Sequence, residues 1–155
     1  MLEGAQDLAA HLDAVLGVNL RAPYILSCEF ARRLIAAKKP GRIVNISSVA
    51  HYSYSGNGAA LYAITKTAVA RMTEALSLEW AKYGINVNAI CPGMFKTEML
   101  DGMLERVGDL SQHVVRQRIC DPAQMDSTLL YLVSPASECV TGAVIRVDDG
   151  QSARN

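Results

Sequence analysis

The feature that most constrains the fold is a strand–helix–strand pattern in the middle of the chain. Residues 41–47, after Pro40 and closed by Ser47-Ser48, hold an apolar block, and so do residues 85–91, between Gly84 and Pro92. Helix-forming residues fill positions 59–82 between them. Apolar blocks bounded in this way fit strands that are covered on both faces. Two strands joined through a helix form a parallel pair with a right-handed crossover. The pattern therefore predicts an α/β fold built on a parallel sheet.

The segments on either side add further helices and a strand, and they contain no internal repeat. Over residues 8–38 apolar side chains recur at helical spacing, which predicts one long helix interrupted at Pro23. Beyond the second strand, Asp121 and Pro122 start another helix, and residues 143–148 form a last strand. We therefore expect about three parallel strands with flanking helices in a single domain that spans residues 1–155.

Composition and charge exclude several kinds of partner. The 15 basic side chains balance the 15 acidic ones, so we expect neither nucleic acid nor a membrane surface as a partner. The 4 cysteines lie far apart and away from the 3 histidines, which argues against a metal site or a disulfide framework. The N-terminus lacks a signal-peptide pattern, and no apolar run reaches about 18 residues. These features predict a cytoplasmic protein.

The stretch from Met94 to Ile119 is rich in methionine, and we predict it to be irregular. Its apolar residues fit two descriptions, a cap over the core or a flexible lid over an apolar ligand. Methionine side chains suit both because they adapt to irregular surfaces.

Tyr62 and Lys66 are the first candidates for a catalytic site. Residues four apart share one face of a helix, and an adjacent cation favours the phenolate form of a tyrosine. Such a pair can exchange protons near neutral pH, as a general acid or base does. An exposed tyrosine beside a lysine explains the same two residues without any chemistry. The catalytic interpretation gains support because Ser48 and Pro92 end the two strands, and ligands of α/β sheets bind beyond the carboxyl ends of strands.

Pro23 adds Asn19 to the candidates. Proline has no N–H to donate to the carbonyl four residues earlier, which is that of Asn19, and a kink here leaves this carbonyl free to hold a water molecule. A tolerated proline in a bent surface helix accounts for the same residues equally well.

Ordered motifs run over nearly the whole chain. They are Val18-Asn19-Leu20, Gly41–Ser48, Tyr62-Ala-Ile-Thr-Lys66, Gly84–Gly93 with Thr97, and Thr141-Gly142 through Val147–Gly150. Together these motifs closely resemble the short-chain dehydrogenase/reductase family. The resemblance implies a truncated Rossmann-like (doubly wound) fold and an oxidoreductase that moves a hydride between the nicotinamide of NAD or NADP and an alcohol or ketone.

The resemblance also implies a role for each candidate residue. Tyr62 would exchange a proton with the substrate oxygen, and Lys66 would favour the Tyr62 phenolate and bind the nicotinamide ribose. Ser48 would hydrogen-bond the substrate oxygen and stabilise developing charge. Asn19 would hold, with its main-chain carbonyl, a water that relays protons to Lys66. The implied cofactor-binding residues are Tyr62, Lys66, Pro92, Gly93, Met94, Phe95 and Thr97. Asn45 and Ser47 are expected to serve the end of the strand.

The chain departs from the family pattern in two places. Family members usually begin with a strand and a glycine-rich turn that receives the pyrophosphate, whereas the glycines before Gly41 are Gly4 and Gly17, in a helical context. The residue that would distinguish NAD from NADP is absent with that turn. The sequence Val147-Asp148-Asp149-Gly150 also stands where Val-Asp-Gly-Gly is common. By resemblance, the first four strands of a seven-stranded sheet are missing from this chain.

That departure leaves residues 41–47 at an open edge of the sheet. Unpaired apolar edges invite pairing with another chain, so we expect a homo-oligomer. Two functions follow: an oxidoreductase whose nucleotide half lies outside this chain, inactive in isolation, or a non-catalytic oligomerising fragment that binds no cofactor. The expected substrate is a small, apolar alcohol or ketone. Hydrolysis by Ser48 with His51 as base is disfavoured, because no Gly-x-Ser-x-Gly turn surrounds Ser48.

Overall fold

A computed structural model of the chain describes residues 7–54, 56, 58–108, 111 and 114–154. Its three strands form one parallel sheet in the order β1-β2-β3. The strands are β1 (Gly41–Ile46), β2 (Ile85–Pro92) and β3 (Val144–Val147). The predicted α/β fold with about three parallel strands is confirmed, although β3 begins one residue later and ends one residue earlier than expected.

Strand β2 lies in the centre of the sheet. Gly41 pairs with Ile85 on one side, and Ala89 pairs with Val144 on the other. The side chains of Ile85, Val87 and Ala89 are fully buried. A strand with neighbours on both sides and helices above it has no face for water, which explains its mostly apolar sequence.

Five helices accompany the sheet in the described part of the chain. They are α1 (Leu8–Leu16), α2 (Ala22–Ala36), α3 (Ala60–Trp80), α4 (Glu98–Val107) and α5 (Asp126–Val133). Local signals set several of their ends. The Asp7 carboxylate accepts hydrogen bonds from the first turn of α1, and Gly84, with φ of 68°, ends the 3₁₀ turn after α3. Asp121 and Gln124 form a capping box on the turn that leads into α5.

The predicted interruption of the first long helix has a different form from the one expected. A π-helical turn, Gly17–Arg21, joins α1 to α2, and Pro23 sits in the first turn of α2. The Ala22 N–H donates to the Gly17 carbonyl, five residues earlier. The wider turn lets the helix continue into a residue that has no N–H, so the chain bulges before the proline instead of kinking at it.

The segment from Met94 to Ile119 is not irregular throughout, and in this respect the sequence prediction was wrong. Helix α4 occupies residues 98–107, and the Thr97 hydroxyl caps it by accepting from the Leu100 N–H at 3.2 Å. Phe95 and Leu100 are buried. At least this part of the segment packs on the core, as a cap does.

The main core lies between the sheet and α2 and α3. Its buried members are Ala31, Val69, Met72, Leu76, Ile85 and Val87. Trp80 packs against this cluster from the end of α3. Within the described ranges, no helix has the length and apolar character needed to cross a membrane.

Among the described residues, strand β1 has a neighbour on one side only and forms an open edge of the sheet. The Ser47 N–H donates to the Ile90 carbonyl on β2 at 2.8 Å. Alternate residues of a strand direct their backbone groups to opposite sides, so Val44 and Ile46 turn theirs toward the open side. The Ile46 side chain is 50% exposed.

Candidate functional site

The carboxyl end of β1 is tied to α3 by polar side chains. The Ser47 hydroxyl donates to the Lys66 carbonyl at 2.7 Å, and the Asn45 amide donates to the Thr73 hydroxyl at 2.9 Å. Asn45, Ser47 and Thr73 are all buried. Buried polar groups need such partners, so these contacts give Asn45 and Ser47 a structural role at the strand end.

Helix α3 brings Lys66 to the same strand end. The Lys66 ammonium donates to the Ile46 carbonyl at 3.0 Å, on the open side of β1. It lies 5.6 Å from the centre of the Tyr62 ring, one helical turn earlier. Burial lowers the pKa of Lys66 because the charged form loses hydration. Tyr62 and Lys66 thus share a helix face, as predicted, next to the end of a strand.

Ser48 lies in extended backbone just after β1. Its oxygen accepts a hydrogen bond from the Ala50 N–H at 3.2 Å and caps the short 3₁₀ turn that follows. No acceptor for the Ser48 hydroxyl proton occurs among the described residues, which leaves this proton able to donate to a ligand. His51, the alternative catalytic partner, instead packs its ring against Tyr52, with 4.4 Å between ring centres.

Apart from Tyr62 and Lys66 on α3, the predicted cofactor-binding residues lie at the end of β2 and directly after it, from Pro92 to Thr97. Pro92 closes the strand, and the Gly93 N–H donates to the Val147 carbonyl at 2.9 Å. The Met94 N–H donates to the Gln151 side-chain oxygen at 3.1 Å. Phe95, by contrast, is buried and pairs with Cys120. The backbone here lies at the carboxyl edge of the sheet, where α/β proteins bind ligands.

Asn19 lies within the π-helical turn, which packs against α3. The π-helical turn, with its wider hydrogen-bonding pattern, occurs often at functional sites. This is a different local geometry from the proline kink on which the sequence argument relied. A water-holding role for the Asn19 carbonyl stays a prediction.

Sequence reasoning missed the position of Cys91. Its thiol, near the end of β2, contacts the Ser47 side chain and the Ser48 backbone. Burial raises the pKa of the Cys91 thiol, while those two contacts and the charge of Lys66 oppose the rise. The signal available in the sequence was its place directly before Pro92, at the end of the strand that pairs with β1.

A second missed group surrounds Asp149. Arg116 and Arg118 both donate to its carboxylate. The sequence offered one hint, the aspartate in place of the glycine that is common there. No group of three or more His, Cys, Asp or Glu side chains that could hold a metal ion occurs in the part of the chain that the structure describes.

Comparisons with known proteins bear on this geometry. The family model described as enoyl-(acyl carrier protein) reductase matches residues 5–152. The chain is 33% identical over 145 residues to the 2-dehydro-3-deoxy-D-gluconate 5-dehydrogenase of Dickeya dadantii, an alignment that covers 92% of this chain and 57% of that protein. It is 34% identical over 140 residues to the 3-oxoacyl-[acyl-carrier-protein] reductase FabG of Rickettsia felis, covering 89% and 57%.

A solved structure shows the same likeness in three dimensions. The gluconate 5-dehydrogenase of Burkholderia cenocepacia, in complex with NADP and tartrate, superposes with a TM-score of 0.89 at 29% identity. The superposition covers 99% of this chain and 60% of that one. The chain therefore spans a little more than half the length of the proteins that it matches.

Proposed function

Because this chain belongs to the short-chain dehydrogenase/reductase family, we propose that it is the catalytic half of an oxidoreductase that acts on an alcohol or ketone with NAD or NADP. The observation that carries this proposal is the place of Lys66. Its ammonium is held at the end of β1 by the Ile46 carbonyl, one helical turn from Tyr62. That position fits a cation that supports a proton-transferring phenol.

The residues present fit the nicotinamide end of the cofactor. A lysine ammonium has three N–H groups, and the Ile46 carbonyl accepts one of them. Among the residues that the structure describes, no other acceptor holds this ammonium, so its other two N–H groups can serve the ribose hydroxyls and the Tyr62 oxygen. The family resemblance assigns Pro92, Gly93, Met94 and Thr97 to the same ring, and these residues end or follow the neighbouring strand β2. When bound, the nicotinamide ring would accept or donate the hydride.

The chain's own side chains divide the remaining chemistry. In reduction Tyr62 donates its proton to the substrate oxygen, and in oxidation the Tyr62 phenolate removes it. Lys66 stabilises the phenolate in both directions. Ser48 donates its hydroxyl proton to the same substrate oxygen and stabilises the charge that develops there. Asn19 contributes the carbonyl that holds a proton-relaying water.

The residues present do not fit the rest of a dinucleotide. No glycine-rich turn that would bind the pyrophosphate occurs in the sequence, and much of the binding free energy of a dinucleotide comes from that part. We therefore propose that the isolated 155-residue chain has no oxidoreductase activity. The substrate class is a small alcohol or ketone. The burial of Phe95 and Leu100 accounts for part of the apolar character of residues 94–119, which weakens the case for an apolar substrate.

A second candidate function is a non-catalytic fragment that associates with copies of itself. The observation that favours it is the exposure of large apolar side chains on the helices, among them Val18 in the π-helical turn, Leu26 on α2 and Leu78 on α3. Apolar surface of this kind marks protein–protein contacts. A homo-oligomer is compatible with either function.

Cofactor titration tests the expectation that the isolated chain does not hold the dinucleotide. NADH and NADPH would be titrated into the purified chain while nicotinamide fluorescence is followed, with Lys66→Ala as the control. We expect no saturation below the millimolar range. A micromolar Kd that Lys66→Ala weakens would show that the isolated chain binds cofactor at the proposed site.

The catalytic assignment is tested on a longer protein. The DNA preceding the Met1 codon would be read for an in-frame glycine-rich turn, and the extended protein would be assayed for NAD(P)-dependent oxidation of alcohols. Tyr62→Phe is then expected to lower kcat by roughly 10²- to 10⁴-fold, the usual contribution of a general acid or base. Full activity in Tyr62→Phe would contradict the role of Tyr62.

A further inference from the structure

The segment that follows β2 has an outgoing limb, residues 94–96, and a returning limb, residues 114–120. Both limbs lie beside one short stretch, residues 147–152. On the outgoing limb, the Met94 N–H donates to the Gln151 side chain at 3.1 Å. On the returning limb, the Cys120 N–H donates to the Met94 carbonyl at 3.0 Å, and the Lys96 N–H donates to the Cys120 carbonyl at 2.9 Å. The backbone of Met94 therefore lies between the stretch after β3 and the returning limb.

Asp149 joins the returning limb to that stretch directly. Arg118 donates two hydrogen bonds to its carboxylate, Nε to Oδ2 at 2.6 Å and Nη2 to Oδ1 at 3.0 Å. Arg116 adds a third, from Nη1 to Oδ1 at 3.0 Å. The Asp149 side chain is only 15% exposed. Arginine pairs of this two-pronged kind are the strong and directional ones.

Two guanidinium groups flank a single carboxylate at this position. The Arg118 hydrogen bonds, and secondarily the one from Arg116, lower the pKa of Asp149 to about 2. The carboxylate is therefore ionised at any pH near neutrality. Val115, on the same limb, lies beside Gly150, at 3.7 Å from the place where a Cβ on that glycine would be. The limb thus contacts the stretch through both charged and apolar groups.

The backbone of Asp149 is unusual for a residue with a side chain. Its φ is 53°, in the left-handed region that glycine adopts more easily. A side chain here costs free energy that glycine would avoid. The carboxylate is therefore carried at a strained position, where it meets two arginines from a segment about 30 residues earlier in the chain.

We propose that Asp149 is a positioning residue for the segment that follows β2. By holding Arg118, two residues before Cys120, it fixes the returning limb, and through the Cys120 hydrogen bonds it fixes the backbone of Met94. Its importance for catalysis rests on the proposed function, which places Met94 beside the nicotinamide. The positioning itself does not depend on any cofactor.

Amide hydrogen exchange of the purified chain tests this proposal. The exchange rates of the Cys120 and Lys96 amides would be compared between the unaltered chain, Asp149→Asn and Arg118→Gln. We expect both variants to exchange about 10-fold faster at these amides, because local opening no longer breaks the charged pair. The matched control is Glu29→Gln, since Glu29 also bridges two arginines, Arg32 and Arg33, but within α2. It should leave these two amides unchanged.

Asp149→Gly separates positioning from stability. This variant removes the arginine contacts and also relieves the positive φ. We expect its Tm to equal or exceed that of Asp149→Asn, while its Cys120 and Lys96 amides exchange as fast. A purely structural role predicts instead that exchange at these amides follows Tm in every variant.

Two results would overturn the proposal. One is unchanged exchange at Cys120 and Lys96 in both Asp149→Asn and Arg118→Gln. The other is an equal acceleration at the Val87 amide in the centre of β2, because this would indicate global instead of local opening. Suppose that Asp149→Asn and Arg118→Gln speed exchange at Cys120 and Lys96 as expected, while the Tyr62→Phe protein stays active. The positioning role of Asp149 would then stand, and only the proposed catalytic role of Tyr62 would be refuted.

Discussion

At the scale of single residues, the partly buried ammonium of Lys66 is the main electrostatic feature of the site. Burial lowers its pKa in the folded chain below the ordinary 10.5. As pH rises through the folded value, the folded chain releases this proton while the unfolded chain still holds it, so stability increases until about 10.5. We expect the unfolding free energy of the unaltered chain to rise relative to Lys66→Met over this alkaline range. Urea denaturation at several pH values measures the difference, and a constant difference would contradict the burial effect.

At the scale of elements, the ends of β2 and β3 approach closely because Gly93 has no side chain. A Cβ at Gly93 would lie 2.8 Å from the Asp148 Cα, and the Gly93 N–H is bonded to the Val147 carbonyl at 2.9 Å. We expect Gly93→Ala to lower the free energy of unfolding by about 1–3 kcal/mol, the usual cost of overpacking.

A matched glycine lies on helix α4. A Cβ at Gly102 would meet no described atom within 4 Å outside its own helix backbone. Gly102→Ala should therefore raise the free energy of unfolding by about 0.5–1 kcal/mol through helix propensity. Urea denaturation of both variants checks the pair, and an unchanged or raised free energy of unfolding in Gly93→Ala would contradict the close approach of the two strand ends.

At the scale of the whole molecule, apolar surface is exposed both at the edge of the sheet and on the helices. Val18, Leu26 and Leu78 are 73%, 69% and 80% exposed. We expect size-exclusion chromatography with light scattering to give a mass above the 16.7 kDa of one chain. Leu26→Glu with Leu78→Glu tests the helices, and Ile46→Lys tests the edge. Whichever change lowers the mass identifies the contact, and a stable monomer of the unaltered chain would refute the expectation.

Patterns within short stretches were read correctly from the sequence. The apolar blocks on both sides of α3 predicted two parallel strands, because burial on both faces leaves no place for polar side chains. The pair Tyr62 and Lys66 was predicted on one helix face, because helical spacing alone decides it. Helix α4 was missed, since Gly102 interrupts its pattern and its packing on the core is not written in its own residues.

Periodicity over a few residues was enough to predict the three strands, their parallel arrangement and the local spacing of the site residues. It did not predict that Lys66 reaches the Ile46 carbonyl or that Arg118 reaches Asp149, 20 and 31 residues away along the chain. Contacts at such separations depend on the path of all the intervening residues. No local preference specifies that path, because it is set by the packing of the whole core.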